Sequence, residues 1–369
     1  MAPQLNLTKT RRPRACTGGW KVLGAITAFL GCSPLFGPPS SSGGLSQSQP
    51  RQCSDAPQPQ GGRTPLGAGR SWVQFIGCDG LGFTGVWAGA ANDVWLAAMG
   101  PGDQISYGDG RLFRWTGSTW MLDTHGERNS LWSRVQGLSG GPVYILNRRY
   151  DDIGNQLGIH VRERDGGMHT LGIPPIIGPP TGSILDFWVG REGIVWAVGW
   201  VGEPSGPRAI EPFRVMRSEG DQLARVDAPD GQFTAVTGVE QDVFVVGDVG
   251  VLQYSSGTWT ALPISPPLLP VACAVSPSHV WFAAAGNLLQ WDGALVTAHP
   301  TTMTVNACWG TSELDVWAVG RGGRIAHFDG TSWSDVPSGT TANLVAVSGF
   351  SSTAVWIAGT DVVLMLQQD

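Results

Sequence analysis

Three features of this 369-residue sequence predict an all-β chain, a seven-bladed β-propeller whose ring is closed by an N-terminal strand and preceded by a disordered tether. First, the chain holds 53 Gly, 26 Pro and 17 Trp with only 14% charged residues. That composition favours tight turns between half-buried strands over charged helix faces. Second, a Val-aromatic pair recurs seven times along the chain. Third, a strand-like segment ahead of the first copy matches the strand that the last copy lacks.

Taken from the N-terminus, residues 1–31 carry Arg11, Arg12, Arg14 and Lys21 and then an apolar run from Val22 to Gly31. A basic segment before a short apolar run has the pattern of a signal peptide. The run is shorter than the roughly 20 residues a membrane helix needs. Residues 32–69 are rich in Ser, Gly, Pro and Gln, with almost no large apolar side chain after Phe36. Such a segment buries too little surface to offset its ordering entropy, so it reads as a flexible tether.

From residue 70 to 369 one pattern repeats. Its clearest copy runs Val305-Asn306-Ala307-Cys308-Trp309-Gly310, Asp315-Val316-Trp317-Ala318-Val319-Gly320, Arg324-Ile325-Ala326-His327-Phe328-Asp329-Gly330 and Ser332-Trp333-Ser334. This reads as four short strands separated by turn residues. The second strand fixes the register through Val94-Trp95, Val143-Tyr144, Val195-Trp196, Val243-Phe244, Val280-Trp281, Val316-Trp317 and Val355-Trp356. Subtracting the aromatic positions gives spacings of 49, 52, 48, 37, 36 and 39. Four-stranded repeats of this period are propeller blades, each exposing both faces until neighbours cover them. An apolar residue of the first strand precedes each pair: Phe83, Leu131, Leu185, Phe233, Leu269, Val305 and Leu344. On this reading the Trp residues are mostly core. Asp93, Asp242 and Asp315 are expected to accept turn hydrogen bonds from nearby backbone N–H groups. After Trp356 only a third strand, Val362 to Leu366, remains, and Ser71-Trp72-Val73-Gln74-Phe75 supplies the fourth, leaving no open edge.

The Asp-Val-Trp-Ala-Val-Gly … Asp-Gly-x-x-Trp pattern resembles the Trp-rich repeats of secreted bacterial propeller lipoproteins, and is more distantly similar to kelch and sialidase-type (BNR) repeats. It departs from kelch in lacking the adjacent glycine pair in most copies, and from the sialidase Asp-box in the adjacency of Asp329 and Gly330. Phe29-Leu30-Gly31-Cys32 resembles the lipobox of bacterial lipoproteins, with Phe29 and Leu30 departing from its usual residues. The resemblance implies lipidation at Cys32, and Ser33 after it implies outer-membrane retention with a periplasmic or extracellular domain. A propeller hosts many unrelated functions, so the fold licenses no activity.

The net charge is −6, with no basic block beyond the leader, which argues against nucleic-acid binding. The six His residues are scattered without ligand spacing, and no nucleophile elbow, zincin or phosphate-loop motif occurs. Asp103 and Asp109 between Gly100 and Gly110 are too few for a calcium loop. No catalytic residue, cofactor or metal is expected, and the chain is expected to be a monomer and not an enzyme. The rival reading is a secreted glycoside hydrolase or sialidase-like enzyme. Arg148, Arg149, Asp151 and Asp152 supply suitable residue types for it, but on one loop. Cys308 aligns with Val236 and Val347 and is expected to be a buried core thiol. Cys53 and Cys78 could pair in an oxidising compartment, a question that spacing leaves open.

The candidate binding surface follows from an asymmetry. Between second and third strands, copies four to six have short turns, whereas copies one to three insert Pro101–Arg111, Arg148–Gly158 and Trp200–Pro212. Equivalent insertions in consecutive blades emerge over one sector of one rim. They carry Tyr107, Arg148, Arg149, Tyr150, Asp152, Trp200 and Arg208, residue types that suit a polysaccharide or protein partner at the cell envelope.

Overall fold

The computed structural model describes residues 56–77, 81–100, 109–128, 130–148, 158–172, 182–201, 211–265 and 268–368. They form 29 strands and one 3-10 turn. After β1 (Gln58–Gly67) and β2 (Arg70–Ile76), the chain makes antiparallel units of four sequential strands. The first unit is β3 (Gly82–Ala90), β4 (Asp93–Met99), β5 (Asp109–Trp115) and β6 (Trp120–Arg128). The second is β7 (Trp132–Gly137), β8 (Val143–Asn147), β9 (Gly158–Arg162) and β10 (Met168–Gly172). The third is β11 (Gly182–Val189), β12 (Val195–Val201), β13 (Glu211–Glu219) and β14 (Gln222–Arg225), joined to the second through a parallel bridge at Gly172 and Gln222. The fourth holds β15 (Phe233–Val239), β16 (Asp242–Gly247), β17 (Gly250–Ser255) and β18 (Thr258–Ala261). The fifth holds β19 (Leu268–Ser276), β20 (His279–Ala284), β21 (Asn287–Trp291) and β22 (Val296–Pro300). The sixth holds β23 (Val305–Ser312), β24 (Asp315–Gly320), β25 (Ile325–Phe328) and β26 (Trp333–Val336). The last three strands, β27 (Leu344–Ser351), β28 (Ala354–Gly359) and β29 (Val362–Gln368), continue into β2 and β1, in the order β27-β28-β29-β2-β1.

The second strands are buried because they lie mid-sheet between two neighbouring units. Leu96, Ile145, Val198, Val245, Phe282, Ala318 and Ile357 are at most 0% exposed. The first strands touch their neighbours in cyclic order from β3 through β7, β11, β15, β19, β23 and β27 back to β3. Residues of all seven line a central channel of about 330 Å³. One position on the first strand makes every seam between units. It is the residue paired with the second-strand aromatic: Trp87, Gln136, Trp188, Thr237, Cys273, Trp309 and Ser348. Where it is Trp, the next unit offers Gly. A Cβ on Gly137, Gly238 or Gly349 would meet Trp87, Trp188 or Trp309 at 2.8, 2.7 or 2.5 Å. Where it is polar, it bonds the next strand's backbone. Gln136 donates to the Phe187 carbonyl and accepts the Val189 N–H, both at 3.0 Å. Thr237 accepts the Ala274 N–H at 3.3 Å, and Ser348 accepts that of Ala88 at 3.1 Å.

The remaining seam is covalent. Cys308 is not the free core thiol expected from its alignment with Val236 and Val347; it forms a disulfide with Cys273 across the fifth and sixth units, Cα to Cα 5.7 Å. The side chains meet because β19 and β23 run side by side at the channel. Cys53 and Cys78 lie outside the described residues.

β2 pairs antiparallel with β29 from Arg70–Gln368 to Ile76–Val362. Its side chains alternate between two neighbours. Trp72, 0% exposed, meets Trp317 of the sixth unit edge-on at 5.8 Å. Phe75 packs with Trp356 and with Trp115 and Trp120 of the first unit, centroids 5.3–6.4 Å away. The tether boundary expected at residue 69 moves. Gln58–Gly67 is strand β1, which satisfies the outer edge of β2 through a turn with positive φ at Gly67, Ala68 and Gly69. Two register details also differ from the expected pattern. The residues equivalent to Phe83 are Trp132 and Ile184, one position from Leu131 and Leu185. The same bulge follows this position in the first unit, between Phe83 and Gly85, as between Ser133 and Val135 and between Ile184 and Asp186, so the ladder partner and not the nearest leucine marks the equivalent residue.

Candidate functional site

Connections from second to third strand and from each unit to the next emerge on one rim; the hairpins joining first to second and third to fourth strands emerge on the other. On the first rim the asymmetry is one of length. The connections are residues 100–108, 148–157 and 202–210 in the first three units, nine, ten and nine residues, and 248–249, 285–286, 321–324 and 360–361 in the other four, two to four residues. Tyr107, Arg149, Tyr150, Asp152 and Arg208 lie outside the described residues, as do Asp103, Asp151 and Cys32. Arg148 and Trp200 are described and mark where two of the insertions are rooted.

The structure brings those two roots to the same strand. Arg148 follows β8 and donates from Nη2 to the Leu185 carbonyl of β11 at 2.6 Å. Trp200, half-buried near the end of β12, pairs with Ser183 of β11. Between these contacts and the channel lies Asp186, 2% exposed. It accepts the Val236 N–H at 3.0 Å and forms an ion pair with Arg134, a bulge residue held at φ 50°. Burial pushes the Asp186 carboxyl up, opposed by Arg134, by the Val236 and Phe187 N–H groups and by Arg148. Arg214 on β13 is also buried, and burial, with Arg225 nearby, pulls its guanidinium below the usual value. Asp109, at the start of β5, pairs with Arg111 at 3.4 Å.

Arg134 and Asp186 carry no signal in the sequence, because their meeting depends on a bulge and on a neighbouring unit about 50 residues away. The aspartates before the second strands act differently from expectation. Asp93 and Asp315 accept the indole N–H of Trp95 and Trp317, two residues on, at 2.8 and 3.1 Å. Asp93 also takes a two-pronged bond from Arg164 of the second unit at 2.6 and 2.8 Å, and the N–H of Gly140. Asp315 takes bonds from Thr311 and His327, the latter at 2.7 Å. Burial opposes ionisation at both, yet these bonds hold both carboxyls below the usual aspartate value.

Among the described residues no three His, Cys, Asp or Glu side chains converge in the manner of a metal site. On the same rim, across from the long connections, a groove of about 910 Å³ lies between the sixth unit and the last. It is bounded by the Arg324–Asp335 ion pair at 3.0 Å and by Gln74, which donates to the Ser338 carbonyl.

No protein-family model and no curated protein matches the sequence. Among solved structures, the chain is similar to a streptogramin B lyase, with TM-score 0.57 at 12% identity over 83% of this chain and 100% of that one. It is similar to YCF48 bound to a D1 peptide, with TM-score 0.58 at 13% identity over 81% and 97%. It is also similar to the WD40 β-propeller domain of Doa1, with TM-score 0.53 at 14% identity over 78% and 93%. At these identities the likeness establishes the β-propeller fold, and nothing further is transferred by it.

Proposed function

We propose that this chain is a seven-bladed propeller, closed by its N-terminal strand, that works as an exported, lipid-anchored binding module at the bacterial cell envelope. Its ligand surface is the rim over blades one to three. The observation that carries the reading is the confinement of the long connections to three consecutive blades. The other four blades make the same strand pairings with turns of two to four residues, so the ring does not require the extra length. Loops on a rigid scaffold are where binding residues concentrate. Arg148, Arg149, Tyr150, Trp200, Tyr107, Asp152 and Arg208 supply the aromatic and charged groups for a polysaccharide or protein partner. The reading as an anchored, exported protein is supported by the leader, by Cys32 in a lipobox-like setting, and by the Cys273–Cys308 disulfide, a bond that persists in oxidising compartments.

The test has two arms. Mass spectrometry of membrane-derived protein should find an acylated N-terminal Cys32, and a mature terminus elsewhere with Cys32 unmodified overturns the anchor. For the rim, the intact protein is probed against an array of envelope polysaccharides and against cross-linked cell-surface proteins. Replacing Arg149, Tyr150 and Trp200 with Ala should abolish the binding found without moving the melting temperature. Retained binding after all three connections are cut to the length of residues 321–324 overturns the assignment.

A further inference from the structure

On the rim opposite the long connections, a cleft of about 620 Å³ opens between the third and fourth blades. Its inner wall is aromatic: Trp188 at the end of β11, Trp196 on β12 and Tyr254 on β17. Trp196 and Tyr254 pack with centroids 5.1 Å apart, and Trp188 and Tyr254 are half-buried. The mouth is charged and of mixed sign, with Arg191 and Arg217 beside Glu192, Glu240 and Asp242.

Of the five second-strand Trp residues, Trp196, Trp281 and Trp356 lack an aspartate two positions back, and of these three it is Trp196 that lines this cleft. In the first and sixth blades the residue two before the second-strand Trp is an aspartate, which accepts the indole N–H. In the third blade that position is Ile194, which lines the cleft. Trp196 is 5% exposed, and its indole N–H has no acceptor among the described residues. It also differs from the indole N–H groups of Trp72, Trp132 and Trp281, which are sealed from solvent without a hydrogen-bond partner. A buried donor left unmade is costly, and one open to a cleft is available to a ligand acceptor.

We infer that this cleft is a binding site for an uncharged oligosaccharide, distinct from the rim assigned above. A sugar ring presents an apolar face and a margin of hydroxyls that both donate and accept. Trp188 and Tyr254 offer flat apolar surfaces for the first. Trp196, Arg191 and Arg217 donate, and Glu192, Glu240 and Asp242 accept, for the second. Two cations against three carboxylates leave the cleft net negative, which disfavours an anionic sugar or a phosphate. With the Arg217 guanidinium over the Trp196 ring at 5.7 Å, an organic cation seated on the neighbouring aromatic faces would meet like charge.

The decisive substitution is Ile194→Asp. It gives Trp196 the internal acceptor that Asp93 and Asp315 provide elsewhere and thus removes the donor from the ligand while leaving the aromatic wall in place. Titration calorimetry on the full chain uses maltohexaose, cellohexaose and chitohexaose as probes, with sialyllactose and tetramethylammonium as charged alternatives. At least one neutral hexasaccharide should bind, and I194D should weaken it about tenfold with an unchanged or raised melting temperature. Should I194D fail to fold, the surface pair Tyr254→Ala and Glu240→Gln carries the same expectation. The Arg149, Tyr150 and Trp200 substitutions on the other rim should leave this binding intact, so the two sites fail separately. No binding by any neutral probe, binding only by sialyllactose or tetramethylammonium, or neutral binding unmoved by the cleft substitutions overturns the inference.

Discussion

Breaking the Cys273–Cys308 disulfide should lower the melting temperature by about 6 °C. The bond closes a segment with a sequence separation of 35 residues. Constraining a loop of that length in the unfolded chain is worth about 4 kcal/mol by loop-closure entropy. Residues 50–369 form one compact unit, 320 residues by subtraction, and a unit of that size unfolds with an entropy near 0.7 kcal/mol/K. The quotient is about 6 °C. The other seams suggest a variant that keeps the packing. Thr237 and Val236 occupy the positions equivalent to Cys273 and Cys308 in the fourth blade. In Cys273→Thr/Cys308→Val, the Thr hydroxyl is placed to accept the Gly310 N–H as Thr237 accepts that of Ala274. That bond returns about 1 kcal/mol, so the double variant should melt about 4–5 °C below the disulfide-bonded protein. Scanning calorimetry with and without a phosphine reductant, alongside peptide mapping of alkylated cysteines, makes the measurement. A melting temperature indifferent to reductant while both thiols are shown to be reduced refutes the stabilisation. Native protein that alkylates at both Cys273 and Cys308 refutes the pairing itself.

Three further outcomes follow from packing and charge. Truncation before Gln58 should leave the melting curve unchanged, because the loss stops short of β1. Truncation through Ile76 strips Trp72 and Phe75 from two interfaces and should end cooperative melting, so superimposable curves for the two would contradict the role given to β2. Arg134→Met removes the ion-pair partner of buried Asp186, leaving two N–H groups and Arg148 to support its charge, and should cost about 3 kcal/mol at neutral pH in chemical denaturation. The loss should shrink towards acid pH, since a carboxyl whose folded pKa is raised favours the fold when protonated and loses that contribution as pH rises through the raised value; a pH-independent loss would count against the ion pair. Asp93 and Asp315 have the opposite sign: their folded values lie below 3.8, so the stability they add is present above that pH and is lost as pH falls through the folded values. The Asp93→Asn/Asp315→Asn variant should accordingly show a shallower loss of stability between pH 4 and pH 2 than the parent in urea titrations.

The repeat was legible in the sequence because it is local. Strand alternation and turn residues act over a few positions, and Val-aromatic pairs such as Val94-Trp95 and Val316-Trp317 repeat that pattern often enough to mark the four-stranded units. β1 was not legible, since its burial is slight and its order comes from the edge of β2, a partner no composition reveals. Nor were the seams. Whether Trp87, Thr237 or Cys273 meets a Gly, a backbone N–H or another thiol depends on the residue that the next blade places beside it, roughly 35–50 positions away. Cys308 sits in a column of apolar residues and reads as core on that evidence alone. The ring's curvature sets that column against the neighbouring one, and there it finds Cys273. The same holds for Trp196. Its sequence resembles Trp95 and Trp317, and the absent aspartate at Ile194 is visible in the chain; that Trp196 lines an open cleft is decided by tertiary structure, because only packed blades have a space between them.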